Sequence, residues 1–206
     1  MKLGEIKIEA LKLMFVNNTN EMNVDSITNL MNDENYAGYL VNMRGAINRA
    51  LDRVKNACVL PLKSAWVDMT AIEDMGNYFS YDLTKIEDFF MLERVVYTDG
   101  PVYNGDFEYE MEGKTIVLEK LPGHYKVLYY PTVDYVSADM SDTDSLSIPE
   151  DIARLIPYFI KGDLYQEDEP NLAADARNTF EACLEDIKKQ QQGRTSVMQM
   201  KYTENN

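Results

Sequence analysis

Apolar residues recur at three- and four-residue spacing near both ends of this chain, and at two-residue spacing in its middle. Leu3, Ile6, Ala10, Leu13 and Met14 trace a helical stripe, with Glu5, Lys7, Glu9 and Lys12 between them, which predicts a first helix. Asn17-Asn18-Thr19-Asn20 should end it, because Asn and Thr side chains favour turn hydrogen bonds over helix. Asp25 or Ser26 is placed to cap a short second helix through Met31. A longer helix is expected from about Asn35 to Cys58. Tyr36, Leu40, Met43, Ile47, Ala50 and Val54 form its apolar face and Arg44, Asn48, Asp52 and Lys55 its polar one, with Pro61 as the stop.

From Lys63 to Val136 the texture changes to strand. Asn104-Gly105 predicts a type I′ hairpin turn, where both central residues need positive φ, and Glu112-Gly113 marks a second turn. Phe107 to Met111 alternates strictly, Thr115 to Leu118 is strand-like, and Leu121-Pro122-Gly123-His124 turns into the Tyr- and Val-rich run Tyr125 to Tyr130. At least four antiparallel strands follow from this pattern.

Helix returns after the acidic connector Ser137 to Ser147. Ser147-x-x-Glu150 reads as a capping box with Pro149 in the first turn. Ile152, Leu155, Ile156, Phe159, Ile160 and Leu164 line a face that Pro157 should kink or split. Glu167-Asp168-Glu169-Pro170 breaks the chain before a last helix to about Gln192, expected to bury Leu172, Ala176, Phe180, Cys183, Leu184 and Ile187. The predicted class is therefore α+β. Helices 1–60 and a hairpin 148–192 form a bundle, a β-domain 61–136 and linker 137–147 lie between, and 193–206 is a flexible arm without durable periodicity. Burial should centre on Leu40, Met43, Ile47, Leu155, Ile156, Phe159, Phe180 and Leu184.

Charge narrows the function. With 20 Lys+Arg against 35 Asp+Glu the net charge is −15, which argues against a sequence-independent nucleic-acid binder. Hydrophobic residues at 45% are too many for an intrinsically disordered chain. Cys58 and Cys183 suit a reducing compartment, as small buried hydrophobes. No run approaches the roughly 18 apolar residues of a membrane span, and no apolar leader is indicated, so a soluble intracellular protein is expected. The arm reverses the sign: Lys188, Lys189, Arg194 and Lys201 stand against Glu204 alone. It reads either as a frayed terminus or as a segment that orders on a partner.

Candidate chemistry is sparse. His124, the single histidine, sits in a Pro-Gly-His-Tyr turn and reads as turn filler. Neither cysteine has a metal-ligand neighbour at zinc spacing, and there is no Gly-rich phosphate loop or nucleophile elbow. Asp139 to Asp144 fails the calcium-loop pattern and reads as a solvated linker. Glu108 and Glu110 share one side of a strand, the solvent face of a hairpin, and the 14 tyrosines with Trp66 lean toward an interaction protein. No cofactor, metal or catalytic residue is expected.

The back third carries a pattern seen elsewhere. Val127-Leu128-Tyr129-Tyr130-Pro131 closes the β-region, and the connector leads into Leu146-Ser147-Ile148-Pro149-Glu150 and Leu155-Ile156-Pro157-Tyr158-Phe159. Gly162-Asp163-Leu164-Tyr165-Gln166-Glu167-Asp168 follows, then Ala174-x-x-Arg177-Asn178-x-Phe180-Glu181. Over about Tyr125 to Lys189 this resembles the head–tail adaptor (connector, or neck) proteins of tailed bacteriophages, in which the hairpin motif falls on Pro149, Pro157, Leu164, Tyr165, Asp168 and Phe180. The resemblance implies a structural virion protein at the capsid portal vertex, assembled in the host cytoplasm. Its subunits form a ring, usually of twelve, that docks to the portal and meets a tail or stopper protein. Double-stranded DNA passes through without specific binding, and an acidic body would repel it. The docking segment would be the arm with Lys188, Lys189, Arg194, Met198, Met200, Lys201 and Tyr202. Compact members of the family are mostly helical, whereas a sizeable β-region is inserted here. The alternatives are a tail-completion or other virion interaction protein, or a ligand-binding β-domain protein.

Overall fold

The structure, a computed structural model, describes residues 1–15, 22–99 and 102–203, with the side chains of 102–104 and 192–203 left aside. The expected stop at Asn17 to Asn20 lies outside the described residues. The class is α+β: the chain forms a helical unit from residues 1–59 and 133–206 and an antiparallel β-unit from residues 60–132.

In the helical unit, α1 (Leu3–Met14) is held at both ends by residues far away in sequence. A helix starts with N–H groups that have no partner inside it. Here the Leu3 and Gly4 N–H groups donate to the Asp144 and Asp142 carbonyls at 2.8 and 2.9 Å. Lys7 adds an ion pair to Asp142 at 2.7 Å. The acidic connector is largely exposed, as expected of a solvated linker, and its backbone carbonyls in addition cap the start of α1. Gly4 permits this approach, since a Cβ there would stand 2.8 Å from Val24 Cγ1 and 3.0 Å from the Asp142 oxygen.

A single 3₁₀ turn (Val24–Ser26), capped by Asn23 whose side chain accepts from the Ser26 N–H, leads into α2 (Ile27–Leu30), where Ser26 holds the expected N-cap position but makes no side-chain cap bond. Asp33 caps α3 (Glu34–Asn56), which buries Tyr36, Leu40, Met43, Ile47, Ala50 and Val54 as its periodicity requires. Its end comes before Pro61. Cys58 takes φ +54° and its N–H bonds the Lys55 carbonyl, a left-handed residue closing the helix where glycine is commoner.

Pro157 splits the next helix, as its missing N–H demands. α4 (Glu150–Ala153) stops and α5 (Ile156–Leu164) restarts with Pro157 in its first turn. Pro149 holds the N-cap of α4 without a side-chain cap, so the Ser147 capping box does not form. α6 (Pro170–Thr203) opens on Pro170 and runs past the expected end at Gln192. The backbone of 193–203 is therefore helical, where an irregular arm was expected. Ala176, Phe180 and Leu184 are buried, but Leu172 is 44% exposed and Leu155 and Phe159 are only half-buried.

The described residues of the β-unit form eight strands: β1 (Lys63–Trp66), β2 (Glu73–Asp74), β3 (Tyr78–Asp82), β4 (Phe89–Asp99), β5 (Val102–Phe107), β6 (Glu110–Glu112), β7 (Thr115–Glu119) and β8 (His124–Pro131). They form two four-stranded sheets, ordered β1-β8-β4-β5 and β2-β3-β7-β6. Phe79, Tyr81, Leu83, Val95, Ile116, Leu118, Tyr125, Val127 and Tyr129 fill one core. Tyr125 shows how a buried phenol is accommodated: its OH donates to the Glu119 carbonyl at 2.6 Å and accepts from the Leu121 N–H at 2.8 Å.

Two expectations change here. Asp99 pairs with Val102, so Asn104-Gly105 lies within β5 and is not the β4–β5 hairpin turn. The Asn104-Gly105 pair lies opposite Tyr97 as a bulge, and its appetite for positive φ is used there, with Gly105 at +100°. Phe107 to Met111 is not one strand: β5 ends in the first sheet at Phe107 and β6 starts in the second at Glu110. The expected turn after Glu112 is present, with Glu112 opposite Thr115 and Gly113 at φ +65°.

Candidate functional site

Of the hairpin-motif residues, Pro157 and Leu164 lie in α5, Tyr165 and Asp168 just after it, Phe180 in α6 and Pro149 before α4. Phe180 of α6 is fully buried, its ring edge-to-face with Phe159 of α5 at 5.1 Å. Gly162 lets the two helices touch: a Cβ there would meet Arg177 Cγ at 2.5 Å and the Ala173 carbonyl at 3.0 Å. Tyr165 is buried and donates to the Met14 carbonyl at 2.7 Å, while Lys161 donates to the Leu13 carbonyl at 2.7 Å. These two bonds satisfy the last carbonyls of α1. Phe15, Tyr36, Tyr39 and Tyr165 join in an edge-to-face aromatic cluster.

Asp168 accepts from the Tyr39 hydroxyl at 3.0 Å. Burial, then that carboxylate acceptor, push the Tyr39 phenol up to about 12. Burial raises Tyr165 as well, with Glu169 and Asp168 adding to it. Pro157 is buried at the start of α5, Leu164 is half-buried at its end, and Pro149 stands at the N-cap of α4. Of the motif's polar groups, the Tyr165 hydroxyl is thus spent on the end of α1 and the Asp168 carboxylate on the Tyr39 side chain.

Ion pairs between helices were not legible beforehand. Arg53 of α3 grips Glu181 of α6 through two bonds, 2.7 and 2.6 Å, and Arg49 pairs with Asp163 of α5. Each cation is held above its ordinary value by its carboxylate partner. The only sequence signal was the four-residue spacing of Arg49 and Arg53 on the polar face of α3, with no hint of a partner.

Of the predicted docking arm, Lys188 and Lys189 are exposed on α6, with Lys189 3.9 Å from Glu185. Arg194, Met198, Met200, Lys201 and Tyr202 lie on the same helical backbone, and their side chains are outside the described residues.

The β-unit carries a second feature, a cleft of about 760 Å³ that sequence reading missed. Its alternating face gave a signal, but closure by the sheet-crossing segment 106–110 did not. Phe79, Tyr81, Ile116 and Leu118 point inward, so Tyr78, Val117 and Glu119 point out, and Tyr78 pairs with Glu119 across the strands. The cleft is lined by Met75 and Tyr78, 56% and 52% exposed, by Tyr109, which also packs against the core, and by Glu108, Glu110 and Glu119. His124 is exposed at the start of β8 and meets Trp66 edge-on at 6.2 Å, while Lys126 lies 5.3 Å above the Trp66 ring.

Among the described residues no cluster of His, Cys, Asp or Glu could hold a metal ion, no helix is long and apolar enough to cross a membrane, and both cysteines are unbridged. Compared with known proteins, the chain matches no protein-family model and no curated protein.

Proposed function

We propose that this chain is a structural virion protein, a head–tail adaptor of a tailed phage, acting in assembly and not as an enzyme. In this reading copies form a ring, dodecameric by the family's habit, that sits under the portal at the neck. The ring joins capsid to tail or stopper protein, and DNA passes through its channel. The observation that carries the reading is the α5–α6 hairpin with the residues of the adaptor pattern at its contacts, followed on the same helix by a cationic segment. An acidic chain with one cationic helical end is suited to docking on a partner by charge and apolar contact.

The test is capture of the chain by the portal protein of the same genome. Full-length protein is compared with a chain ending after Gln192 and with Arg194→Glu/Lys201→Glu. Binding that both changes abolish is the expected result. Binding unchanged by either would keep the adaptor and move its docking site elsewhere. No binding by the intact chain would favour a tail-completion protein.

A further inference from the structure

The described backbone gives the cationic segment an order that its sequence did not display. With α6 helical to Thr203, Arg194, Val197, Met198, Lys201 and Tyr202 stand at i, i+3, i+4, i+7 and i+8, one stripe of that helix. The stripe spans about 12 Å at 1.5 Å per residue. It mixes two cations with three apolar positions, on a chain whose net charge is −15.

The cleft of the β-unit has the converse composition. Met75 and Tyr78 bring exposed apolar surface to its lining, and Glu108, Glu110 and Glu119 bring negative charge. Asp106 also lines it but is paired with Arg94 at 3.1 Å, so the three glutamates are the groups that meet an incoming cation. A lining of this mixed composition is complementary to a helix that carries apolar residues together with Lys and Arg.

We propose that this cleft takes the Arg194–Tyr202 stripe of α6 from a second copy of the chain. The choice of a second copy rests on the ring reading above; the match between cleft and stripe does not. Cleft and stripe are different surfaces, so the contact is head-to-tail, the kind that closes into rings when the rotation allows. The same helix is then shared between a neighbouring copy and the portal, and portal docking competes with the contact between copies.

Sedimentation and light scattering of the intact protein at low salt test this, with far-UV circular dichroism to verify folding. The wild type is expected to self-associate, and more weakly as salt rises. Glu108→Lys/Glu110→Lys spoils the cleft and Arg194→Glu/Lys201→Glu spoils the stripe. Each alone should weaken association at least about tenfold, since like charges replace opposite ones. Mixed together, the two variants should associate again, because one contact between them keeps its native charges and the other pairs opposite charges in reverse.

A wild type that stays monomeric near millimolar concentration overturns the proposal, as does association that neither variant changes or a mixture no larger than its parts. Portal capture is a separate readout. Self-association without portal binding would sink the adaptor and leave this contact standing, and portal binding by a strictly monomeric chain would do the reverse.

Discussion

Two glycines inside helices should respond to the same substitution with opposite signs. Gly38 lies in α3 with nothing within 4 Å of where its Cβ would be. Alanine there should stabilise by about 0.5–1 kcal/mol, the helix preference of Ala over Gly. Gly162 lies in α5, where that preference has the same size. There the new methyl would sit 2.5 Å from Arg177 Cγ and 3.0 Å from the Ala173 carbonyl oxygen. The Arg177 stem can swing, but the carbonyl belongs to the backbone of α6, so the helices must separate by several tenths of an ångström. Phe180 against Phe159 would loosen with them. Overpacking of this kind costs about 1–3 kcal/mol, and with backbone as the obstacle the upper part of that range applies, so after the gain in helix preference Gly162→Ala should be destabilised by up to about 2 kcal/mol. Urea unfolding followed at 222 nm reports the helices, and fluorescence of Trp66, the only tryptophan, reports the β-unit. Gly38→Ala should move the helical transition up and Gly162→Ala should move it down. A Gly162→Ala chain as stable as wild type would refute the close approach of α5 and α6.

Tyr165→Phe keeps the ring but orphans the Met14 carbonyl, and should cost about 1–3 kcal/mol in the same assay. Arg53→Ala should cost under about 1 kcal/mol, because both members of its pair with Glu181 are almost half exposed. Tyr39 and Tyr129, each pushed up to about 12 from 10.0, stabilise the fold fully below pH 10 and progressively less as pH rises to about 12. Spectrophotometric titration should therefore show late-ionising tyrosines, and Tyr39→Phe should remove one of them. On the acid side, Asp52 is held below 3.8 by its bonds from Lys55 and Tyr135. Its contribution should persist above that value and be lost as pH falls below it, which Asp52→Asn would erase.

What the sequence determined by itself is what periodicity and single-residue chemistry can carry. The buried face of α3, the split at Pro157, the start of α6 at Pro170 and the turn at Gly113 all follow from side chains within a few positions of one another. What only the tertiary structure decided depends on partners distant in sequence. Alternation across 107–111 is the same whether a strand stays in its sheet or crosses to another, so the crossing between β5 and β6 was invisible. Asn104-Gly105 announced positive φ, but only pairing with β4 turned it into a bulge and not a reversal. The acidic connector looked like a linker because its use lies in backbone carbonyls, which every residue possesses and no composition reveals. Tyr165 and Asp168 were singled out by pattern, yet their roles at the end of α1 and on Tyr39 required α1 and α3 to be in place. Local preference follows from neighbours along the chain, whereas a hydrogen bond across 151 residues exists only once the chain has folded.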